Sequence, residues 1–556
     1  MNDAQGMTQA PPFTLGRHWR GLGAWNLYFV CKLALYWRGI IDFDALANLT
    51  FAAFLLLPLP PLWLHRLRHV LAIPIGVALL YQDSWLPPFS RLLAQSSQVS
   101  AFSLDYLLEL AGRIIDWHWV AVFFVLAVGY AFVAAWIRVT VPVMLALVWI
   151  AMLPLMSTIG LTPFLPTAPA TATTAPGEAA TGEATTETAQ SGGAAPTAPT
   201  EFNDAELEAR LEAFYAEESE RQTVFSGAPQ SPFDVLIVNV CSLSWDDMAE
   251  VGVTDHPLFD YLDIVFDDFN SATSYSGPAS LRLLRASCGQ VPHQALYTET
   301  PQQCHLFENL EEQGFTTTLA LNHDGVFDDY LKLIREQGGI EAPAMSREAF
   351  EPIMTAFDDS PVYRDRDMLN AWAEQPTEGQ PSATFYNTVT LHDGNRIVGE
   401  KSFAEYEPLL RQLFDDLLAF LQRLESEGRQ VAVLVVPEHG AALSGDKMQF
   451  AGMREIPTPA ITHVPVGVKL TGLEQPRQDD PIHIEAPSSY LAVSELLSRL
   501  LQRDVFAQQD VDWETLTADL PETKPVSTNE GVAVMPADGS PYIRLQGDGW
   551  MPYPGG

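Results

Sequence analysis

Positive charge is scarce in this chain. Its 556 residues carry 31 Lys+Arg against 69 Asp+Glu, a net charge of −38. The deficit is uneven: residues 1–160 hold 9 Lys+Arg and 7 Asp+Glu (+2), which leaves 22 and 62 (−40) for the remainder. So acidic a surface repels phosphate backbones and anionic bilayers, which argues against nucleic acid as a partner. Cysteine is equally sparse, with four in all. The first 20 residues lack the apolar core of a cleavable signal peptide, and no internal repeat is present. A chain of this length is expected to hold more than one domain.

What the first third does have is apolar length. Five membrane spans are expected, at residues 21–37, 46–64, 70–86, 117–136 and 139–161; the last two are long enough to cross about 30 Å of hydrocarbon. Lys32 interrupts the first, and Pro58, Pro60 and Pro61 the second. Under this count Arg17, Arg20, Arg66, Arg68 and Arg138 fall on one side, and Arg38, Arg91 and Arg113 on the other. That bias puts the N-terminus in the cytoplasm and the large C-terminal part outside. Residues 102–115 space Leu104, Leu107, Leu108, Ile114 and Ile115 at helical intervals, as in a helix at the interface or one packed on the spans. Residues 167–200 are almost all Ala, Thr, Pro, Gly and Glu, a flexible tether that cannot bury a core. The expected organisation is a transmembrane domain (1–161), a linker (162–202), a catalytic domain (203–525) and a C-terminal edge hairpin or tail (526–556).

From residue 233 strand and helix patterns alternate. Strands are expected at 234–240, 316–322, 383–390, 430–437 and 463–470, with helices at 202–222, 278–287, 326–338, 402–427 and 486–503. The fold class is therefore an α/β domain with a mostly parallel central sheet between helices. In such sheets chemistry gathers at the carboxyl ends of strands. The first strand ends on Cys241, and the strand at 430–437 ends on Glu438-His439-Gly440. Ser276 stands before Gly277, Pro278 and a helical pattern, so it should open a helix whose free N–H groups and dipole favour a phosphoryl group. A thiolate, a carboxylate and an imidazole, with the serine oxygen as fourth ligand, suit a tetrahedral Zn²⁺ better than Mg²⁺, Mn²⁺ or Ca²⁺. Whether they meet is for the tertiary fold to decide. Bound zinc would make Ser276 a usable nucleophile near neutral pH. His392, after another strand end, is cast as the acid that protonates the leaving alkoxide and then as the base that activates the acceptor. Tyr275 either donates to a phosphate oxygen or packs. His323 and His463 are weaker candidates; His256, His293, His305 and His483 read as structural. Cys31 reads as a small apolar residue of a span. Cys288 and Cys304, with 15 residues between them outside the cytoplasm, are expected to form a disulfide that contributes roughly 3 kcal/mol.

The motifs Asn239-Val240-Cys241-Ser242-Leu243-Ser244-Trp245, Tyr275-Ser276-Gly277-Pro278-Ala279, Leu391-His392-Asp393-Gly394-Asn395 and Pro437-Glu438-His439-Gly440 resemble the alkaline phosphatase superfamily. Within it they look like the membrane-anchored phosphoethanolamine transferases, and most like those of bacterial cellulose secretion systems. The resemblance covers nearly the whole chain. It implies an alkaline-phosphatase-like domain in the periplasm, anchored in the inner membrane by a multi-pass segment. It also implies phosphatidylethanolamine as donor, the glucose 6-hydroxyl of nascent cellulose as acceptor, and the cellulose synthase and secretion subunits as partners. Arg454 matches the position at which family members bind the transferring phosphate.

Particular residues argue against each rival reading, of which transfer to another periplasmic acceptor such as lipid A and a scaffold subunit of the cellulose secretion machinery stay as the alternatives. A sulfatase needs arginine where Ser280 stands. A two-metal phosphatase needs further Asp and His ligands that cannot be assembled. A lipid A transferase would share the reaction but carry a carboxylate in place of Cys241. The intact set Cys241, Ser276, Glu438 and His439 argues against a vestigial scaffold and leaves a scaffold role beside catalysis open.

Overall fold

The computed structural model describes residues 21–38, 41, 43–59, 62–84, 117–134, 136–158, 202–227, 231–375, 379–509, 511–545 and 549–553. They fall into two units, one within residues 1–194 and one within residues 195–556, apart from residues 95–108. The expected segment 102–115 and the tether at 167–200 lie outside the described residues.

The first unit is helical, with helices Trp25–Trp37, Ala45–Leu56, Leu62–Gln82, Trp117–Ala134 and Thr140–Thr158. Asp44 caps the second, its carboxylate accepting from the Ala47 N–H at 2.9 Å. Phe29, Phe51, Ala52, Leu55 and Leu147 form a small core, beside which Lys32 is held by Asp83 at 2.8 Å and Asn48 at 2.8 Å. Among the described residues one helix, Trp63–Gln82, is long and apolar enough to cross a membrane; Ala45–Leu56, Ala121–Ala134 and Thr140–Met152 are shorter apolar stretches. The structure corrects two boundaries. The expected second span at 46–64 ends at Leu56, because the α conformation is disfavoured ahead of Pro58. The expected third span at 70–86 belongs to a longer helix that starts at Leu62.

The second unit contains fourteen described strands: β1 (Asp234–Val240), β2 (Ile264–Phe266), β3 (Thr316–Leu321), β4 (Met354–Thr355), β5 (Pro361–Val362), β6 (Ser382–Thr388), β7 (Arg396–Ile397), β8 (Val431–Pro437), β9 (Val466–Thr471), β10 (Ile482–Ile484), β11 (Ser527–Asn529), β12 (Val532–Ala537), β13 (Ser540–Arg544) and β14 (Trp550–Pro552). Seven make the central sheet, in the order β10-β2-β9-β8-β1-β6-β3. All its neighbouring pairs are parallel except β8 with β9 and β2 with β9, so β9 alone runs against the rest. The sheet is thus mixed. The short β2 and β10 were not anticipated, and the strand expected at 463–470 is this reversed β9.

Both faces of the sheet are covered, and β1 shows why. Val235 and Ile237 enter one core with Leu283, Leu306, Ile334 and Leu496, while Leu236, Val238 and Val240 enter another with Met368, Leu417 and Leu421. A strand alternates its side chains between faces, so only an unbroken apolar run can feed two cores. The helix Tyr406–Ser426 supplies much of the second, burying Leu410, Leu413, Phe414, Leu417, Phe420, Leu421 and Leu424 at helical spacing.

Two smaller sheets flank this body. One has the order β5-β4-β7; the other is antiparallel in the order β11-β12-β13-β14. The hairpin expected at 532–535 and 542–545 therefore lies in a sheet of its own rather than on the edge of the large one. The helix Asp204–Ser219 packs Leu207, Leu211 and Phe214 against Ala533, Met535 and Tyr542 of that sheet.

Candidate active site

Register brings the first two groups together. Val240 pairs with Pro437 where β1 and β8 run side by side, and the Glu438 N–H donates to the Val240 carbonyl at 2.8 Å. Cys241 and Glu438-His439 thus leave the sheet as neighbours. All three side chains are buried, and a sulfur, a carboxylate oxygen and a ring nitrogen from them lie within 4.8 Å of one another. Ser276 opens the helix Ser276–Leu284, and the side chain of the capping residue Tyr275 makes no capping bond. Its Oγ lies 3.4 Å from Cys241 Sγ and 3.3 Å from His439 Nε2.

The donor set fits a zinc ion. Four ligands 2.0–2.3 Å from one tetrahedral ion stand roughly 3.3–3.7 Å apart, close to the two distances above and to the 3.9 Å between His439 Nε2 and Glu438 Oε2. Glu438 Oε2 is buried without a hydrogen-bond partner. Its Oε1 accepts from Asn387 Nδ2 at 2.6 Å and from Ser280 Oγ at 3.2 Å, which fixes the carboxylate and turns Oε2 toward the other ligands. His439 Nδ1 donates to the Gly440 carbonyl at 2.8 Å. Arg454 Nη1 also stands 3.3 Å from Nδ1. Two donors cannot bond, so the shorter contact to a carbonyl sets the tautomer and Nε2 keeps its lone pair. Burial, together with the Arg454 cation, holds this imidazole well below its ordinary range. Burial and the Glu438 charge push the Cys241 thiol up to about 12. It becomes a thiolate ligand only where a cation replaces its proton.

Tight backbone packing holds the loops. A Cβ on Gly440 would come within 2.5 Å of Ser244 Oγ and 2.7 Å of Asp247 Oδ2. Asp247 in turn accepts from the N–H groups of Ala441 and Leu443 at 2.6 and 3.1 Å. Ser242, with φ +63°, occupies the left-handed region beside the thiol; Tyr406 donates to its carbonyl at 2.7 Å and Arg454 to its hydroxyl at 3.2 Å.

The remaining candidates divide. Arg454 lies at the site, donating to Ser242 and standing beside His439. His392 donates from Nδ1 to the Asp393 carbonyl at 2.7 Å and stacks on Phe357 at 5.0 Å, leaving Nε2 as the basic nitrogen. Burial, then Arg454, lowers it to about 4. The Tyr275 hydroxyl donates to Glu455 at 2.9 Å. His323, a weaker candidate from sequence, donates from Nε2 to Asn387 Oδ1 at 2.8 Å, and so supports the residue that orients Glu438. His463 bonds to the Asp267 carbonyl at 2.5 Å, His256 caps the helix Pro257–Tyr261, and His305 and His483 pair with Glu308 and Asp267. Cys288 and Cys304 form the expected disulfide.

Sequence reasoning missed the supporting residues. Asn239, Ser280 and Asn387 close a ring around Glu438 Oε1, with Ser280 Oγ 2.8 Å from the Tyr330 hydroxyl. Asn529, in β11, donates to Ser274 Oγ at 2.7 Å and to the Glu455 carbonyl at 2.9 Å, and accepts from Thr273 Oγ1 at 2.9 Å. It ties the segment before Ser276 to the segment after Arg454. The one available signal was Asn239 standing inside the apolar run of β1.

Two family models match this chain. One, for the cellulose biosynthesis protein BcsG C-terminal domain, matches residues 191–550; the other, for the BcsG N-terminal domain, matches residues 25–152. The chain is 47% identical over 557 residues to the cellulose biosynthesis protein BcsG of Escherichia coli strain K12, covering 98% of each. It is 45% identical over 559 residues to the protein of that name from Salmonella typhimurium strain LT2, covering 98% of this chain and 99% of the other. Among solved structures it is similar to a protein in the alkaline phosphatase superfamily from Vibrio parahaemolyticus, with a TM-score of 0.45 and 12% identity over 62% of this chain and 87% of that one.

Proposed function

Because the chain belongs to the family of the cellulose biosynthesis protein BcsG, we propose that it transfers phosphoethanolamine from phosphatidylethanolamine to the glucose 6-hydroxyls of nascent cellulose. The reaction is zinc-dependent and runs through a covalent phospho-serine at Ser276. The chain works from the bacterial inner membrane, with its catalytic domain in the periplasm and the cellulose synthase and secretion subunits as partners. The observation that carries the reading is the convergence of Cys241, Glu438 and His439 on Ser276 Oγ at the N-terminus of its helix.

Cys241, Glu438 and His439 would hold the ion, with Ser276 beside them; when bound, zinc lowers the pKa of the serine hydroxyl and neutralises developing charge. Ser276 Oγ attacks phosphorus, the bond from phosphorus to the glycerol oxygen breaks, and diacylglycerol leaves with a proton. The acceptor hydroxyl then attacks the same phosphorus, the serine oxygen departs and regains its proton. The N–H groups of the first helical turn and the Arg454 guanidinium face the phosphoryl oxygens. A His392 held neutral near pH 7 enters each step as a base, taking the proton of the attacking hydroxyl and passing it to the leaving oxygen.

The test combines elemental analysis with mass spectrometry of the full chain after incubation with phosphatidylethanolamine. About one zinc per chain, lost in Cys241→Ala and largely kept in Ser276→Ala, is expected, with a phosphoethanolamine adduct on the Ser276 peptide of the wild type alone. Zinc indifferent to Cys241, or diacylglycerol release undiminished in Ser276→Ala, would overturn the reading.

A further inference from the structure

Among the described residues of the second unit, eight large hydrophobics stand exposed, and five of them cluster: Val326, Phe327, Ile353, Ile397 and Val398. Val326 is 69% exposed, Val398 53% and Ile397 43%. Backbone pairing joins three of them, and a ring contact carries a fourth inward. Ile353 immediately precedes β4, which pairs with β7 carrying Ile397, and the Val398 N–H donates to the Ile353 carbonyl at 3.1 Å. Phe357, just after β4, meets Phe327 edge-on at 4.6 Å and stacks on His392 at 5.0 Å. Apolar side chains therefore lead from the surface at Phe327 through Phe357 to the imidazole of the candidate site, with Ile353, Ile397 and Val398 exposed on the small sheet that precedes Phe357. Soluble domains seldom leave such a contiguous patch open without an occupant.

Charge narrows the occupant. Residues 324–329 and 357–359 carry Asp324, Asp328, Asp329, Asp358 and Asp359, and residues 396–401 add Arg396, Glu400 and Lys401, so the segments that carry the exposed residues hold six acidic groups against two basic ones. An anionic lipid surface would be repelled there, whereas an ammonium group would be welcome. We propose that the rim seats the acyl chains of a zwitterionic phospholipid at a bilayer surface and delivers the headgroup to His392 and Ser276. The inference rests on the lipid-donor reading above and gives that donor a docking surface.

The test uses the full chain in mixed micelles of non-ionic detergent with long-chain phosphatidylethanolamine, read as diacylglycerol release against lipid mole fraction. A water-soluble phosphodiester of ethanolamine serves as the second donor. Phe327→Ser/Val326→Ser and, independently, Ile397→Ser/Val398→Ser should each raise the apparent KM for the long-chain lipid about tenfold or more. Their kcat/KM on the soluble donor should stay within about twofold of wild type. Unchanged KM for the long-chain lipid in both pairs, or equal losses on both donors, overturns the inference while the wild type still turns over lipid. A wild type inert toward both donors overturns the function reading itself.

Discussion

Glu438 shows how much of the site is decided one atom at a time. A buried carboxylate with both oxygens satisfied would be a structural group; here Asn387 and Ser280 take Oε1, and Oε2 is left without a partner. Gly440 acts by what it lacks. Gly440→Ala would drive a methyl into Ser244 and Asp247, so a loss of roughly 1–3 kcal/mol is expected, read as a lower Tm together with weakened zinc retention, since His439 sits one residue away. Asn529 acts at a distance. Asn529→Ala removes its bonds to Ser274 and Glu455 and should lower kcat about tenfold, with zinc content by elemental analysis unchanged; a variant that lost zinc instead would show the tie to be general scaffolding.

At the scale of elements, the site is a strand-end site. β1, β6 and β8 lie side by side and parallel, so their carboxyl ends deliver Cys241, His392 and Glu438-His439 to one edge. β3 brings His323, which donates to Asn387 from Nε2 and accepts from the Gly325 N–H at Nδ1, 3.2 Å away. Both nitrogens are in use only in the neutral ring. Burial lowers its pKa to about 4, against about 6.5 for an unconstrained histidine. Below pH 6.5 the unfolded chain therefore takes up a proton that the native state refuses. The stabilising contribution is full above pH 6.5 and is lost as pH falls toward 4, by roughly 1–3 kcal/mol. Urea unfolding at pH 7 and pH 5 measures it. His323→Gln should flatten that difference.

For the whole molecule, the charge asymmetry and the apolar N-terminal third underlie the proposed arrangement of a helical membrane unit and an acidic domain outside the cytoplasm. Protease added to spheroplasts is expected to remove the region 202–553 and spare the N-terminal helices; full protection of that region in intact spheroplasts would place it in the cytoplasm and defeat the proposed access to both lipid donor and glucan. The four-stranded sheet β11-β14 belongs to this scale as well. It packs on the helix Asp204–Ser219 and sends Asn529 to the loop before Ser276, so the two ends of the second unit close on each other around the candidate site.

By itself the sequence determined what is local. The run Val235-Leu236-Ile237-Val238 reads as a strand covered on both faces, and Gly277-Pro278 after Ser276 marks a helix start. The cysteine, acid and histidine at strand ends are legible for the same reason: each needs only its own neighbours to be placed. The tertiary structure decided what depends on register and direction. That β9 runs against its neighbours, that β2 and β10 join the sheet at all, that Asn387 and Ser280 hold one oxygen of Glu438, and that Asn529 reaches back about 250 residues to Ser274 follow from long-range pairing. Such contacts leave no periodicity in the chain. Short strands and hydrogen-bonding side chains gain their meaning only from the partners that folding brings beside them.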